Sequence, residues 1–185
     1  MSEPILAAAR RVIPIDKTLV HKTEIENVFV SDIHRVDGRS DLYEAEMVID
    51  TEHAFFFEHP LDHVPGLMLV EAVRQMGTAV SHIYYGAPKG SVFVLNDMRI
   101  VFSSFGELNE PLFMRMRIHD TVERKGKITQ LQCASSWWQS NQQIGTMDAK
   151  WSVFDARTIA RLRSPRRPSP TVPASSFETS NPTIP

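Results

Sequence analysis

From residue 112 onward the chain alternates. Leu112, Met114, Met116 and Ile118 take one parity while Arg115, Arg117 and His119 take the other, the pattern of a strand with one face in a core and one in water. Lys125-Gly126-Lys127 reads as a hairpin turn into a strand over 128–139. Asn141-Gln142-Gln143 turns into a strand over 144–154, in which Met147, Ala149, Trp151 and Val153 share a face. Upstream, 91–102 reads as a further strand, and 27–33 and 41–50 as two more around the turn signal Asp37-Gly38. Between these sets the period changes. Residues 65–85 are helical in pattern, opened by Pro65 and stopped by Gly86-Ala87-Pro88.

Two strands, a long helix and an antiparallel meander predict a two-layer α+β domain. The helix is apolar around most of its circumference, through Leu67, Met68, Leu69, Val70, Ala72, Val73, Met76, Ala79, Val80 and Ile83. Such a helix is buried nearly all round, so the sheet is expected to curve about it. The polar residues of this helix therefore call for explanation. Glu71, Gln75, Thr78 and His82 form one stripe, with Arg74 beside it. An unpaired carboxylate among apolar neighbours costs several kcal/mol. Glu71 is paired internally with Arg74 or Gln75, or the stripe simply faces solvent, or Glu71 is a catalytic carboxylate tuned by its surroundings.

The segment before the helix, His53 to Gly66, supplies further chemistry. His59 and His63 flank Asp62, and Pro65-Gly66 stand where the helix begins. Glycine there leaves backbone N–H groups, at the positive end of the helix dipole, open to an acyl carbonyl. The spacing His59, Asp62, His63 has no third site to complete a metal centre, and no metal is expected. Cys133 has no basic neighbour in sequence and reads as structural.

Composition narrows the classes. The chain has 185 residues, 20 basic and 22 acidic, and one cysteine, which excludes an internal disulfide and a CxxC site. The charge is uneven: residues 20–156 hold 12 basic and 19 acidic residues, which disfavours a nucleic-acid-binding core. No apolar run reaches the ~18 residues of a membrane span, no secretory signal is read at the N-terminus, and a cytoplasmic location is expected. Residues 157–185 carry five arginines, and residues 163–185 six of the twelve prolines. A segment so poor in apolar residues cannot offset its ordering entropy. The organisation expected is an extension over 1–19, one domain over 20–156 and a disordered basic tail over 157–185.

The motifs carry a resemblance. Phe55-Phe56-Phe57-Glu58-His59-Pro60, then Pro65-Gly66 and Glu71-Ala72 with Gln75, resembles the signature of β-hydroxyacyl carrier-protein dehydratases, although the stretch from His59 to Pro65 is two residues short and Glu58 replaces a glycine. A closer likeness is to the A-factor biosynthesis hotdog family: Asp62-His63-Val64-Pro65-Gly66 and Glu71-Ala72-Val73-Arg74-Gln75 match D-H-V-P-G and E-A-x-R-Q unbroken, and Val20-His21-Lys22 is similar to that family's opening. The resemblance implies a hotdog fold, a curved antiparallel sheet wrapped around the helix at 65–85. It implies transfer of a β-ketoacyl group from acyl carrier protein, or from a coenzyme A thioester, to a hydroxyl acceptor such as dihydroxyacetone phosphate, in γ-butyrolactone-type signal synthesis. No cofactor is called for. On this reading Glu71, His59 and His63 are catalytic, while Gly66, Asp62, Arg74 and Gln75 bind substrate. The family's known enzymes carry two such domains in a chain, so a homodimer is expected here. Dehydration or hydrolysis of an acyl thioester, and acyl binding without catalysis, stand as alternatives. A basic patch at Arg115, Arg117, Arg124, Lys125 and Lys127, or the arginine tail, would receive an acidic carrier protein.

Overall fold

A computed structural model describes residues 12–164 of the chain. Six strands form one antiparallel sheet in the order β1-β2-β4-β5-β6-β3. They are β1 (His34–Arg35), β2 (Leu42–Glu46), β3 (Val92–Phe102), β4 (Phe113–Arg124), β5 (Lys127–Gln139) and β6 (Gln142–Phe154). The helix α1 runs from Gly66 to Tyr84, and a short α2 from Ala156 to Arg163. The four long strands lie within two residues of their expected limits. Their hairpins turn on residue pairs with positive φ, Lys125-Gly126 (53° and 71°) and Ser140-Asn141 (47° and 63°). That geometry matches the right-handed twist of the strands they join.

The alternation along β4 is realised: Met114, Met116 and Ile118 are buried against α1 while the residues between them face out. Two tryptophans of the sheet grip the helix. Trp137 donates its indole N–H to the Leu69 carbonyl at 3.2 Å, and Trp151 donates to Ser81 Oγ at 3.2 Å. Gly77 makes room for this: a Cβ there would lie 3.3 Å from Trp151. Buried aromatic N–H groups need partners, and α1 supplies both.

Three expectations differ from the structure. The helix is not enclosed on all sides, since Leu67 is 71% exposed and Arg74 and Ile83 also face out. The segment 27–33 forms a 3-10 turn at Ile25–Asn27 and isolated bridges, Val30 to Met47 and Ser31 to Pro14, rather than a strand. The reason lies in α1, where Gln75 takes the backbone groups of Asn27 and Phe29 that a ladder would have used. The expected tail begins as helix: Asp155 caps α2 by accepting the Thr158 N–H at 2.8 Å. Most of the tail, residues 165–185, and residues 1–11 of the N-terminal extension lie outside the described residues.

The strand β3 pairs only with β6, so its other edge is unpaired within the sheet. It exposes Leu95, Met98, Val101 and Phe102. No helix among the described residues is long and apolar enough to cross a membrane.

Candidate active site

Glu71 is the centre of the polar stripe on α1. Arg74, one turn on, grips it with two bonds, Nε to Oε2 at 2.6 Å and Nη2 to Oε1 at 2.8 Å. Gln75 donates to Oε1 at 3.0 Å, and Lys22 Nζ stands 2.8 Å from the same oxygen. Burial works to raise the Glu71 carboxyl, but the hydrogen bonds from Arg74 and Lys22, the Arg74 charge and the Gln75 amide outweigh it and bring the pKa down to about 2. Both pairings expected for an internal ion pair are present, and Lys22 adds a third. A carboxylate so strongly held is a weak base.

Gln75 is fully buried, and its two N–H groups and its oxygen are all engaged. One N–H goes to Glu71 and the other to the Asn27 carbonyl at 2.8 Å, while its oxygen accepts the Phe29 N–H at 2.9 Å. It pins the segment 27–29 to the helix, with both of its N–H donors engaged within the chain.

Lys22 arrives from a 3-10 turn, Lys17–Val20, closed by His21 in the left-handed region at φ 59°, ψ 42°. This places His21 and Lys22 side by side over the stripe. His21 Nε2 lies 2.9 Å from His82 Nε2, and His82 Nδ1 lies 2.7 Å from the Ala87 carbonyl oxygen. Both imidazoles rest on Phe93, with ring centroids 5.2 and 5.3 Å away. His21 and Lys22 were legible only as part of an opening motif. Their contact with the helix spans some fifty to sixty residues of sequence, beyond the reach of any local pattern.

Between α1 and the inner face of the sheet lies a cavity of about 200 Å³. Val73, Gly77, Met116, Met147 and Trp151 line its apolar part, and Glu71, Arg74, Thr78 and Phe93 belong to its wall as well. Cys133 also faces it, and burial pushes that thiol up to about 11, so it stays protonated and unreactive. Val70 and Glu71 also border a second, more open groove of about 390 Å³, with Lys22, His53 and Phe55. The ion pairs at Glu71 thus stand between two recesses.

The loop before α1 forms a separate group. His63 Nδ1 lies 2.7 Å from Asp62 Oδ1, and the His63 ring packs on Phe105 at 4.8 Å. The His63 hydrogen bond holds the exposed Asp62 carboxyl below its ordinary range. His59 is exposed. No hydrogen bond or ion pair among the described residues joins His59, Asp62 or His63 to Glu71. Gly66 begins α1, which has no side-chain N-cap, and a Cβ at Gly66 would meet the Phe102 ring at 3.2 Å. Its lack of a side chain serves that close packing, and Phe102 lies over the helix start.

Comparison with known proteins agrees with this architecture. A mutant thioesterase from Pseudomonas aeruginosa superposes with a TM-score of 0.50 at 11% identity, covering 68% of this chain and 81% of that one. A protein from Helicobacter felis superposes with a TM-score of 0.50 at 15% identity, covering 76% and 90%. In sequence, the chain is 30% identical over 89 residues to a 2-oxo-3-(phosphooxy)propyl 3-oxoalkanoate synthase of Streptomyces virginiae, 46% of this chain and 28% of the relative. It is 31% identical over 101 residues to the synthase of the same name from Streptomyces griseus, 55% of this chain and 29% of the relative. The matched region therefore spans less than a third of the length of these relatives. The A-factor biosynthesis hotdog domain model matches residues 6–155, and the chain belongs to that family.

Proposed function

We propose that this domain holds an acyl thioester, with the acyl chain in the cavity beside α1, and transfers a β-ketoacyl group to a hydroxyl of a phosphorylated acceptor such as dihydroxyacetone phosphate. The observation that carries the reading is the cavity: an apolar recess whose wall includes a carboxylate and a guanidinium, where an acyl chain and a polar reaction centre can be held together. The Streptomyces relatives are named for esters that combine a 3-oxoalkanoate with a phosphooxy group. Lys22, Arg74 and Glu71 together carry one net positive charge beside both recesses, a setting suited to an anionic acceptor or to a developing oxyanion. Glu71 here organises the two cations rather than taking a proton.

The thioester donor is acyl carrier protein or coenzyme A. Arg115 and Arg117 are engaged by Glu44 and Asp41, at 2.6 and 3.6 Å, which weakens them as docking residues. Arg124, Lys125, Lys127 and Lys89 border one groove beside α2 and have no ion pair among the described residues, so they form the better landing site for an acidic carrier.

The unit is a homodimer built across β3. Its unpaired edge and exposed Leu95, Met98 and Val101 favour a second copy, and the patch continues through Phe102 and Phe105 to His63. That continuity supports a site in which His59, His63 with Asp62, and the Gly66 N–H of one copy serve the cavity of the other.

The test is to incubate the purified full-length chain with a β-ketoacyl carrier protein and dihydroxyacetone phosphate, following the ester by mass spectrometry. Formation of the phosphorylated ester supports transfer. Release of free acid, or conversion of a 3-hydroxyacyl thioester to the enoyl product, would replace it with hydrolysis or dehydration. Binding of the thioester without turnover would leave an acyl-binding protein.

A further inference from the structure

We propose that His21 and His82 form a proton-transfer pair, in which His21 is the base that deprotonates the acceptor hydroxyl and His82 is a positioning residue; the inference rests on the acyl-transfer reading above. The hydrogen bonds determine where the protons lie. A carbonyl oxygen can only accept, so the 2.7 Å contact with Ala87 places a proton on His82 Nδ1. A neutral His82 then presents a lone pair at Nε2. The His21 Nε2 atom 2.9 Å away must carry the shared proton. The remaining lone pair of the couple is on His21 Nδ1, a basic nitrogen on an exposed ring.

When His21 Nδ1 gains a proton, its Nε2–H still donates to His82, and the bond becomes charge-assisted. The Ala87 carbonyl and His82 thus act on His21 as an orienting group acts on a catalytic histidine. The backbone supports the assignment. His21 is held in the left-handed region, a conformation that a non-glycine residue adopts only at a cost. That conformation sets its ring against His82 while the next side chain reaches Glu71.

Placement favours the same role. Phe93 touches both imidazoles and lines the cavity, as do Arg74 and Thr78 from the turns of α1 preceding His82. The charged groups beside the pair are Arg74 on α1 and Lys22 on its own turn, both tied to Glu71. From β3 the pair meets the neutral Phe93. Burial holds the His21 pKa below its ordinary value, and the Arg74 charge acts in the same direction. The ring is therefore uncharged and able to accept a proton at neutral pH.

In the reaction the acceptor oxygen attacks the thioester carbonyl carbon, forming the C–O bond, as its proton passes to His21 Nδ1. Collapse of the tetrahedral intermediate breaks the C–S bond, and the imidazolium returns the proton to the departing sulfur. Ester and thiol are the products, and His21 is neutral again.

The experiment uses full-length wild type, His21→Gln and His82→Phe with a β-ketoacyl thioester and dihydroxyacetone phosphate. It measures kcat, KM and the pH profile of kcat/KM, with circular dichroism to establish folding and nitrogen NMR of the histidine rings. The expected result is a loss of about 10²–10⁴ in kcat for His21→Gln with KM little changed, and loss of the acid limb of the profile. His82→Phe displaces that limb and releases the single tautomer of His21 seen in wild type. A folded His21→Gln that keeps both rate and acid limb, while wild type transfers the acyl group, overturns the pair and leaves the proposed function standing. A wild type that transfers no acyl group overturns both.

Discussion

The side-chain oxygen of Gln75 accepts the main-chain N–H of Phe29 at 2.9 Å, across 46 residues of sequence. A single amide, fully buried in the long helix, thereby ties the segment ahead of β1 to α1. Gln75→Leu leaves the Phe29 N–H and Asn27 carbonyl without their partner and removes one donor from Glu71. The expected cost is about 2–4 kcal/mol, read as a lowered urea midpoint with unchanged slope. A variant within about 0.5 kcal/mol of wild type would show that this tie is not structural.

Glu71 makes stability depend on acidity. Its carboxyl lies at about 2 in the fold against an ordinary 4.5, so it contributes fully above about 4.5 and is lost as pH falls from there through about 2. Allowing for partial exposure, wild type should lose about 1–2 kcal/mol over that window. Glu71→Gln should lack this loss while being less stable at neutral pH, because Arg74 and Lys22 are left uncompensated. Urea unfolding of both proteins at about pH 6 and about pH 3 measures the difference. The same variant should keep the acid limb of the activity profile, which a base at position 71 would abolish.

Gly77 sets the width of the cavity. A Cβ there would come within 3.3 Å of the rigid Trp151 indole, which must shift by a few tenths of an ångström, and 3.6 Å from the flexible tip of Met116. Gly77→Ala gains about 1 kcal/mol of helix propensity and loses part of it to crowding. Stability should therefore change little while the longest acyl chains are excluded. Each methylene that no longer fits costs about 0.8 kcal/mol, a fall of about fourfold in kcat/KM. A series of β-ketoacyl thioesters of increasing length would reveal it, and an unaltered preference would move the acyl chain out of this cavity.

What the sequence made legible follows the range of the interactions. The four long strands and α1 were readable because alternation, helical period and turn residues are local, and the sheet confirms them within two residues. Glu71, Arg74 and Gln75 were visible because three and four residues separate partners on one helical face. Whether that stripe was an internal ion-pair group or a tuned catalytic carboxylate was undecidable, since Lys22 lies 49 residues away. His82 stood on the stripe and His21 in the opening motif, but nothing local could show that their rings meet. The segment 27–33 failed as a strand because composition speaks for β structure while the buried Gln75 claims its backbone. The first turn of α2 was hidden by the arginines and prolines that follow it.

The unpaired edge of β3 makes the last prediction. An eleven-residue edge strand with Leu95, Met98 and Val101 exposed is a template for association. Natural edge strands that remain single are usually short, charged or covered. Among the described residues nothing covers this one. The wild-type chain should sediment as a dimer, and the pair of changes Leu95→Glu and Val101→Lys should yield a folded monomer. Both positions are exposed in the single copy, so the substitutions should cost that copy less than about 1 kcal/mol; Leu95 also borders the acyl cavity, so turnover is compared in Val101→Lys alone as well. Activity separates two versions of the dimer. If His63 of one copy serves the cavity of the other, the monomeric variant loses turnover while its Glu71 and His21–His82 contacts persist. A monomeric variant that keeps full activity would show each cavity to be complete within its own chain, and a wild type that sediments as a monomer at all concentrations would remove the partner altogether.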